Sequence, residues 1–128
     1  MNQAAMENIV KQMALESAGE KGVVEFNYHQ VKMYLISDTK HNRMRIIAPI
    51  TEYDKLERTQ IDLMLESNFH SSLDARYAVS KGILYSAYIH PLSALSQDQL
   101  ESAVKQVANL ALTFGNGYTS GTLEFGTN

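Results

Sequence analysis

Four histidines, His29, His41, His70 and His90, are the side chains best suited to acid–base or metal chemistry near neutral pH. They fall on predicted turns and strand ends, and no two stand at ligand spacing, so a metal site would need several to converge with a carboxylate through the fold. Cysteine is absent, which excludes disulfides, thiolate zinc sites and a cysteine nucleophile. Glu52, Asp54, Glu57, Asp62 and Glu66 share one predicted helix, where paired carboxylates could carry acid–base work, but their angular scatter fits a solvated side. The run Gly115-Asn116-Gly117-Tyr118-Thr119-Ser120-Gly121 is rich in glycine yet follows a helix and lacks the Gly-Lys-Ser/Thr ending of a phosphate loop. No Gly-x-Ser-x-Gly elbow is present. The reading is of a protein that is not an enzyme, with no catalytic residue, cofactor or metal.

The 128 residues fit one domain able to bury a single core. Apolar residues at 45% and charged residues at 20% are ordinary globular values. No run approaches the ~20 apolar residues that span a bilayer, and no leader pattern opens the chain, so the expectation is a cytoplasmic protein without membrane insertion. A formal net charge of −3 disfavours nucleic acid as a partner. The local cluster Lys40-His41-Asn42-Arg43-Met44-Arg45 reads as a solvated sheet edge.

Spacing predicts the elements. Met6, Ile9, Val10 and Met13 recur at helical intervals within Asn2 to Ala18. Val23 to Tyr28, Val31 to Ser37 and Arg43 to Ile50 alternate as strands, turning at His29-Gln30 and through the polar Asp38 to Asn42. Thr51 and Asp54 have capping-box spacing and predict a second helix ending near Asn68. Ala75 to Ser80 and Ile83 to Ile89 form a hairpin about Lys81-Gly82. Ser96 and Gln99 make the strongest cap, opening a helix with Leu100, Ala103, Val104, Val107, Ala111 and Phe114 inward and Glu101 and Lys105 as an exposed pair. The order is α-β-β-β-α-β-β-α: an α+β domain over residues 1–117, an antiparallel sheet with helices mainly on one face. Residues 118–128 read as a flexible tail, or one docked loosely by Leu123 and Phe125.

The strand faces carry more apolar side chains than one core needs. If Phe26, Met33 and Ile46 face the helices, Tyr34, Ile36 and Ile47 share the other face with Lys32, Arg43 and Arg45. A mixed patch of this kind marks a ligand or peptide surface, a dimer contact, or two-sided burial.

Leu63-Met64-Leu65-Glu66-Ser67-Asn68-Phe69, Ala75-Arg76-Tyr77-Ala78-Val79, the turn into Gly82-Ile83-Leu84-Tyr85, and Leu95 to Leu110 with its Asp98-Gln99-Leu100 start carry a resemblance. In these and in element order the chain resembles the type III secretion chaperones, including the CesT-type chaperones, and the YbjN-like proteins. The resemblance implies a cytoplasmic bacterial homodimer that binds an extended segment of a client protein without ATP, by strand addition or in a groove. Its YbjN-like branch implies instead a regulatory domain binding a small ligand or protein partner. By the same resemblance Met6, Tyr34, Ile36 and Ile47 would meet the client, and Leu56, Leu63, Tyr77 and Tyr85 the second subunit. The basic residues of the meander and the tail depart from that pattern.

Overall fold

Asn2 starts the first helix by accepting the Ala5 N–H on its side chain (2.8 Å), satisfying one of the donors a helix start leaves free. This computed structural model describes residues 1–121. Helix α1 spans Gln3–Met13, and four strands follow as a meander: β1 Glu16–Glu20, β2 Val23–Tyr28, β3 Val31–Asp38 and β4 Arg43–Glu52. A short 3₁₀ turn at Tyr53–Lys55 leads to α2 Arg58–His70, the hairpin β5 Arg76–Ser80 and β6 Ile83–Pro91, and α3 Gln97–Leu112. All six strands join one antiparallel sheet in the order β1-β2-β3-β4-β6-β5. Of the two-residue hairpin turns, His29-Gln30 and Lys81-Gly82 hold both residues at positive φ, the twist that suits tight antiparallel turns.

Burial is one-sided. Phe26, Met33, Leu35, Met44, Ile46, Ala48 and Leu84 point inward and are almost wholly buried. Helix α3 packs across β4 and β6 and sets Leu100, Ala103, Val104, Val107 and Leu110 against them. Each fully buried Leu or Val there contributes about 1.5–3 kcal/mol. Its cap is the expected one: Ser96 Oγ accepts from Gln99 N–H (3.1 Å) and Gln99 Oε1 from Ser96 N–H (2.9 Å). Glu101 accepts from Gln97 Nε2 (2.9 Å). Helix α1 lies beside α3 on the same face, against β2, and closes the core there with Met6 and Val10.

Three expectations are corrected. The first helix stops at Met13, and residues 16–20 are a strand that returns into β2 through the Lys21-Gly22 turn, with Gly22 at φ +96 in the turn and Gly19 at φ +110 in the strand before it. A Cβ at Gly19 would collide with the Val23 carbonyl, so only glycine fits. The second helix starts not at Thr51 but after Glu57, whose N–H donates to Gln60 Oε1 (2.9 Å). Thr51 and Glu52 still pair with Leu84 and Ile83 beyond a bulge at Pro49.

Asn68, expected to stop α2, is inside it. Its amide does other work: Oδ1 accepts the Tyr77 N–H (2.8 Å) and Nδ2 donates to the Tyr77 carbonyl (3.1 Å), closing the outer edge of β5 as a neighbouring strand residue would. Tyr118 to Gly121 run against α2 and α3, where Ser71 Oγ donates to the Tyr118 carbonyl (2.6 Å) and Leu73 N–H to Ser120 Oγ (2.6 Å). Leu123 and Phe125 lie outside the described residues.

Asn68→Ala removes both bonds to Tyr77 and is expected to lower unfolding free energy by about 1–3 kcal/mol in urea titration. Asn68→Asp, which keeps the acceptor but sets a carboxylate against the Tyr77 carbonyl, should fall at least as far. An unchanged midpoint in both would remove this clamp from the account.

Candidate protein-binding surface

Hydrogen bonding across the meander decides which backbone groups remain free. Ser37 N–H donates to the Gly22 carbonyl (3.0 Å), so the even residues of β2 face β3 and Val23, Glu25 and Asn27 face β1. Their partners are Glu20, Ala18 and Glu16. Ser17 and Gly19 therefore turn their N–H and C=O groups away from the sheet. β1 has no strand on that side among the described residues, and all five of its residues are exposed. Such an edge is a ready template for an added strand.

Beside it lies the face of the sheet opposite the helices. One row across it reads Glu20, Val23, Ile36, Arg45, Ile89, and the next Ala18, Glu25, Tyr34, Ile47, Ala87, Arg76. Tyr34, Ile36 and Ile47 are half-buried there, while Val23 and Ile89 are exposed. Lys32 lies 3.9 Å from Glu25. Burial, and next the hydrogen bond and charge of Glu25, push the Tyr34 hydroxyl pKa up, keeping it a neutral donor. The expected mixture of apolar and basic side chains is thus on one surface.

Met6 is not. It is fully buried in the core under α1 and offers nothing to a partner. Tyr77 is also interior: its hydroxyl donates to the Leu110 carbonyl (2.9 Å) and its ring meets Phe114 and Tyr118 edge-on. Leu56 and Tyr85 are half-buried, and Leu63 is exposed on α2. Leu65 and Phe69, which the resemblance motif contains but does not assign to an interface, are more exposed still, at 62% and 80%. With Tyr53, Ile61 and Val79, Leu65 borders an apolar cavity of about 240 Å³ between α2 and β5.

The histidines stay apart, each in its own surroundings. His41 Nδ1 sits 2.8 Å from Asp38 Oδ2, His90 stacks on Tyr88, and His29 and His70 meet Tyr28 and Phe69 edge-on. Among the described residues no group of three His, Asp or Glu gathers as a metal site, and no helix is long and apolar enough to cross a membrane.

No family model matches the chain, and no curated protein is significantly similar to it in sequence. Solved structures are similar in shape. A chain of the ExsC–ExsE complex superposes with a TM-score of 0.61 at 15% identity over 85% of this chain and 90% of that one. A chain of the HopA1–SchA chaperone–effector complex gives 0.64 at 10% identity, covering 87% and 90%. The Yersinia pestis type III secretion chaperone SycH, in complex with a stable fragment of YscM2, gives 0.64 at 17% identity, covering 88% and 98%. The chain has the type III secretion chaperone fold. None of these three structures is of a YbjN protein.

Within this chain's version of the chaperone fold, the element that sequence reading missed is β1. Glu16-Ser17-Ala18-Gly19-Glu20 has no apolar alternation, and only the Gly19-x-x-Gly22 spacing before Val23 could have signalled a hairpin. Tyr77 yields a test of its interior position. Burial pushes its hydroxyl pKa up, so the folded state holds the proton above pH ~10, where unfolded tyrosine ionises. Stability is then complete below pH ~10 and falls above it. Tyr77→Phe should cost about 1 kcal/mol at neutral pH and make the alkaline fall shallower in denaturant titrations. Tyr88, also shifted up by burial, leaves a residual slope. An identical alkaline fall in the variant would contradict an interior hydroxyl at Tyr77.

Proposed function

We propose that this chain is a non-enzymatic, cytoplasmic client-binding chaperone module, working as a homodimer that holds an extended segment of another protein. The observation that carries the reading is the open edge of β1: among the described residues Ser17 and Gly19 hold unpaired backbone donors and acceptors beside an apolar face already lined by Tyr34, Ile36 and Ile47. An extended segment added there would gain backbone hydrogen bonds from the edge and specificity from side chains laid on that face. Support comes from the fold neighbours, which include a chaperone–effector complex and a secretion chaperone with a bound fragment. Client pairing of this sort needs no reacting group.

For the dimer we assign α2. Leu65 and Phe69, four residues apart, present one apolar flank and Leu63 the other, while Leu56 and Tyr85, which the resemblance also assigns to the second subunit, are half-buried. An exposed apolar stripe on a helix held mainly by Met64, Ser67 and the Asn68 clamp fits a contact with a second copy.

The test begins with tagged protein purified from its native host and identification of the chain that co-elutes. Ser17→Pro removes an N–H that points away from the sheet, which an edge strand tolerates. It should preserve the fold by circular dichroism and weaken client binding by about tenfold or more. Ile47→Asp should do the same while sedimentation still reports a dimer. Phe69→Glu should give monomers. If no chain co-elutes, or both Ser17→Pro and Ile47→Asp bind a client like the parent protein, the reading fails. A Phe69→Glu dimer would remove α2 from the interface.

A further inference from the structure

The sheet has a second opening, at the opposite end of its strand order. β6 runs to Pro91, but β5 begins only at Arg76, opposite Ala87. Beyond that point β6 has β4 on one side and no strand on the other among the described residues. Leu92 N–H donates to the Asn42 carbonyl (3.1 Å), which sets the alternation: Tyr88 and His90 turn their backbone groups to β4, Ala87 and Ile89 away from it. The Asn68 clamp agrees, because Tyr77 bonds outward while standing opposite Ser86. Chain that would have met Ile89 is drawn off instead: the Asp74 and Ala75 N–H groups both donate to Gln106 Oε1 on α3 (2.7 and 3.0 Å). The Ile89 N–H and C=O are left facing a cavity of about 420 Å³, walled by Asp74, Arg76, Tyr88, His90, Asp98 and Ser102.

The walls select a charge. Arg76 Nη1 donates to the carbonyls of Leu73 (2.9 Å) and Ala75 (3.0 Å), which leaves its charge in the wall, outnumbered by the two carboxylates of Asp74 and Asp98. Asp74 spends one oxygen on Gln106 Nε2 (3.1 Å), and Asp98 has no ion-pair partner among the described residues. Tyr88 and His90 stack at 5.9 Å with an interplanar angle of 3°, offering an aromatic surface to a cation. A segment closing this cavity would desolvate the carboxylates unless it brought a positive charge. Residues 122–128 contain Glu124 and no lysine or arginine, so that stretch lacks the charge the cavity calls for. The opening is also short. Pro91 has no N–H, and His90 Nδ1 lies 2.8 Å from its carbonyl.

We infer that this notch is a second peptide-binding site, taking about three residues in extended form, one pairing with the backbone of Ile89 and its neighbours bearing a lysine or arginine that enters the cavity. Strand alternation sends the residue opposite Ile89 to the outer face and its neighbours inward, towards Asp74 and Asp98. The inference stands on this geometry and not on the client bound at β1.

The test titrates the full-length, isotope-labelled chain with a blocked Val-Lys-Val-Lys-Val peptide and follows backbone amides by NMR. Saturable shifts at Tyr88, Ile89 and Asp98 are expected. Asp74→Asn combined with Asp98→Asn should raise the dissociation constant about tenfold, and methylating the central peptide nitrogen should abolish binding. Equal binding of Val-Glu-Val-Glu-Val, or no shift at Ile89 at millimolar peptide, would overturn the inference. Shifts confined to Ser17 and Gly19 would overturn it while leaving the β1 edge as a client site. Ile89 shifts that grow with protein concentration alone would make a second copy the occupant and overturn it too.

Discussion

The packing of α3 on β4 and β6 is the contact on which the rest depends. Leu100, Val104 and Val107 on one stripe meet Ile46, Ala48 and Leu84 on the inner sheet face, all almost fully buried. Because α1 and α3 hold the same side, the inward strand residues are covered and the outward ones have no helix over them among the described residues. The outer face is therefore the complement of the core, fixed by the same alternation. A one-residue slip in any strand would exchange Met33, Leu35 and Ile46 for Tyr34, Ile36 and Ile47. Neither set can change without the other, so a surface rich in apolar groups is built into this register.

The two outer strands are treated differently. At β5 the edge groups of Tyr77 are taken by the Asn68 side chain, and α2 lies alongside. At β1 nothing in the described chain covers Ser17 and Gly19. Proteins generally blunt exposed edges because an open one recruits other chains. Here blunting is limited to the side charges of Glu16 and Glu20, which leaves the backbone accessible. The open edge, the apolar outer face and the chaperone fold are the three features on which the proposed strand addition rests.

Much of this was legible in the sequence, where local chemistry and tertiary need agree. The Ser96 and Gln99 cap, the α3 stripe, the inward positions of Phe26, Met33 and Ile46, and the pairing of outward Tyr34, Ile36 and Ile47 with basic residues all follow from periodicity. The failures have separate causes. β1 is small and polar because it buries nothing, so its strand state rests on pairing with β2 and leaves no apolar signature. The spacing of Thr51 and Asp54 mimics a cap, but pairing with β6 across the Pro49 bulge holds that stretch extended. Asn68 looked like a terminator because asparagine tolerates left-handed backbone, whereas its amide is used sideways, a role visible only once Tyr77 is placed beside it. Met6 lies on the apolar stripe of an amphipathic helix, and periodicity tells which side is apolar without telling whether the core or a partner covers it. In the candidate surface, then, the face was readable and the edge beside it was not.

Amide hydrogen exchange on the chain, alone and with the protein that co-elutes with it, addresses the central claim most directly. The account predicts that the Ser17 and Gly19 amides exchange freely alone and become protected in the complex, with Asn68-clamped Tyr77 protected in both. Protection that appears elsewhere while Ser17 and Gly19 continue to exchange at the free rate would contradict it.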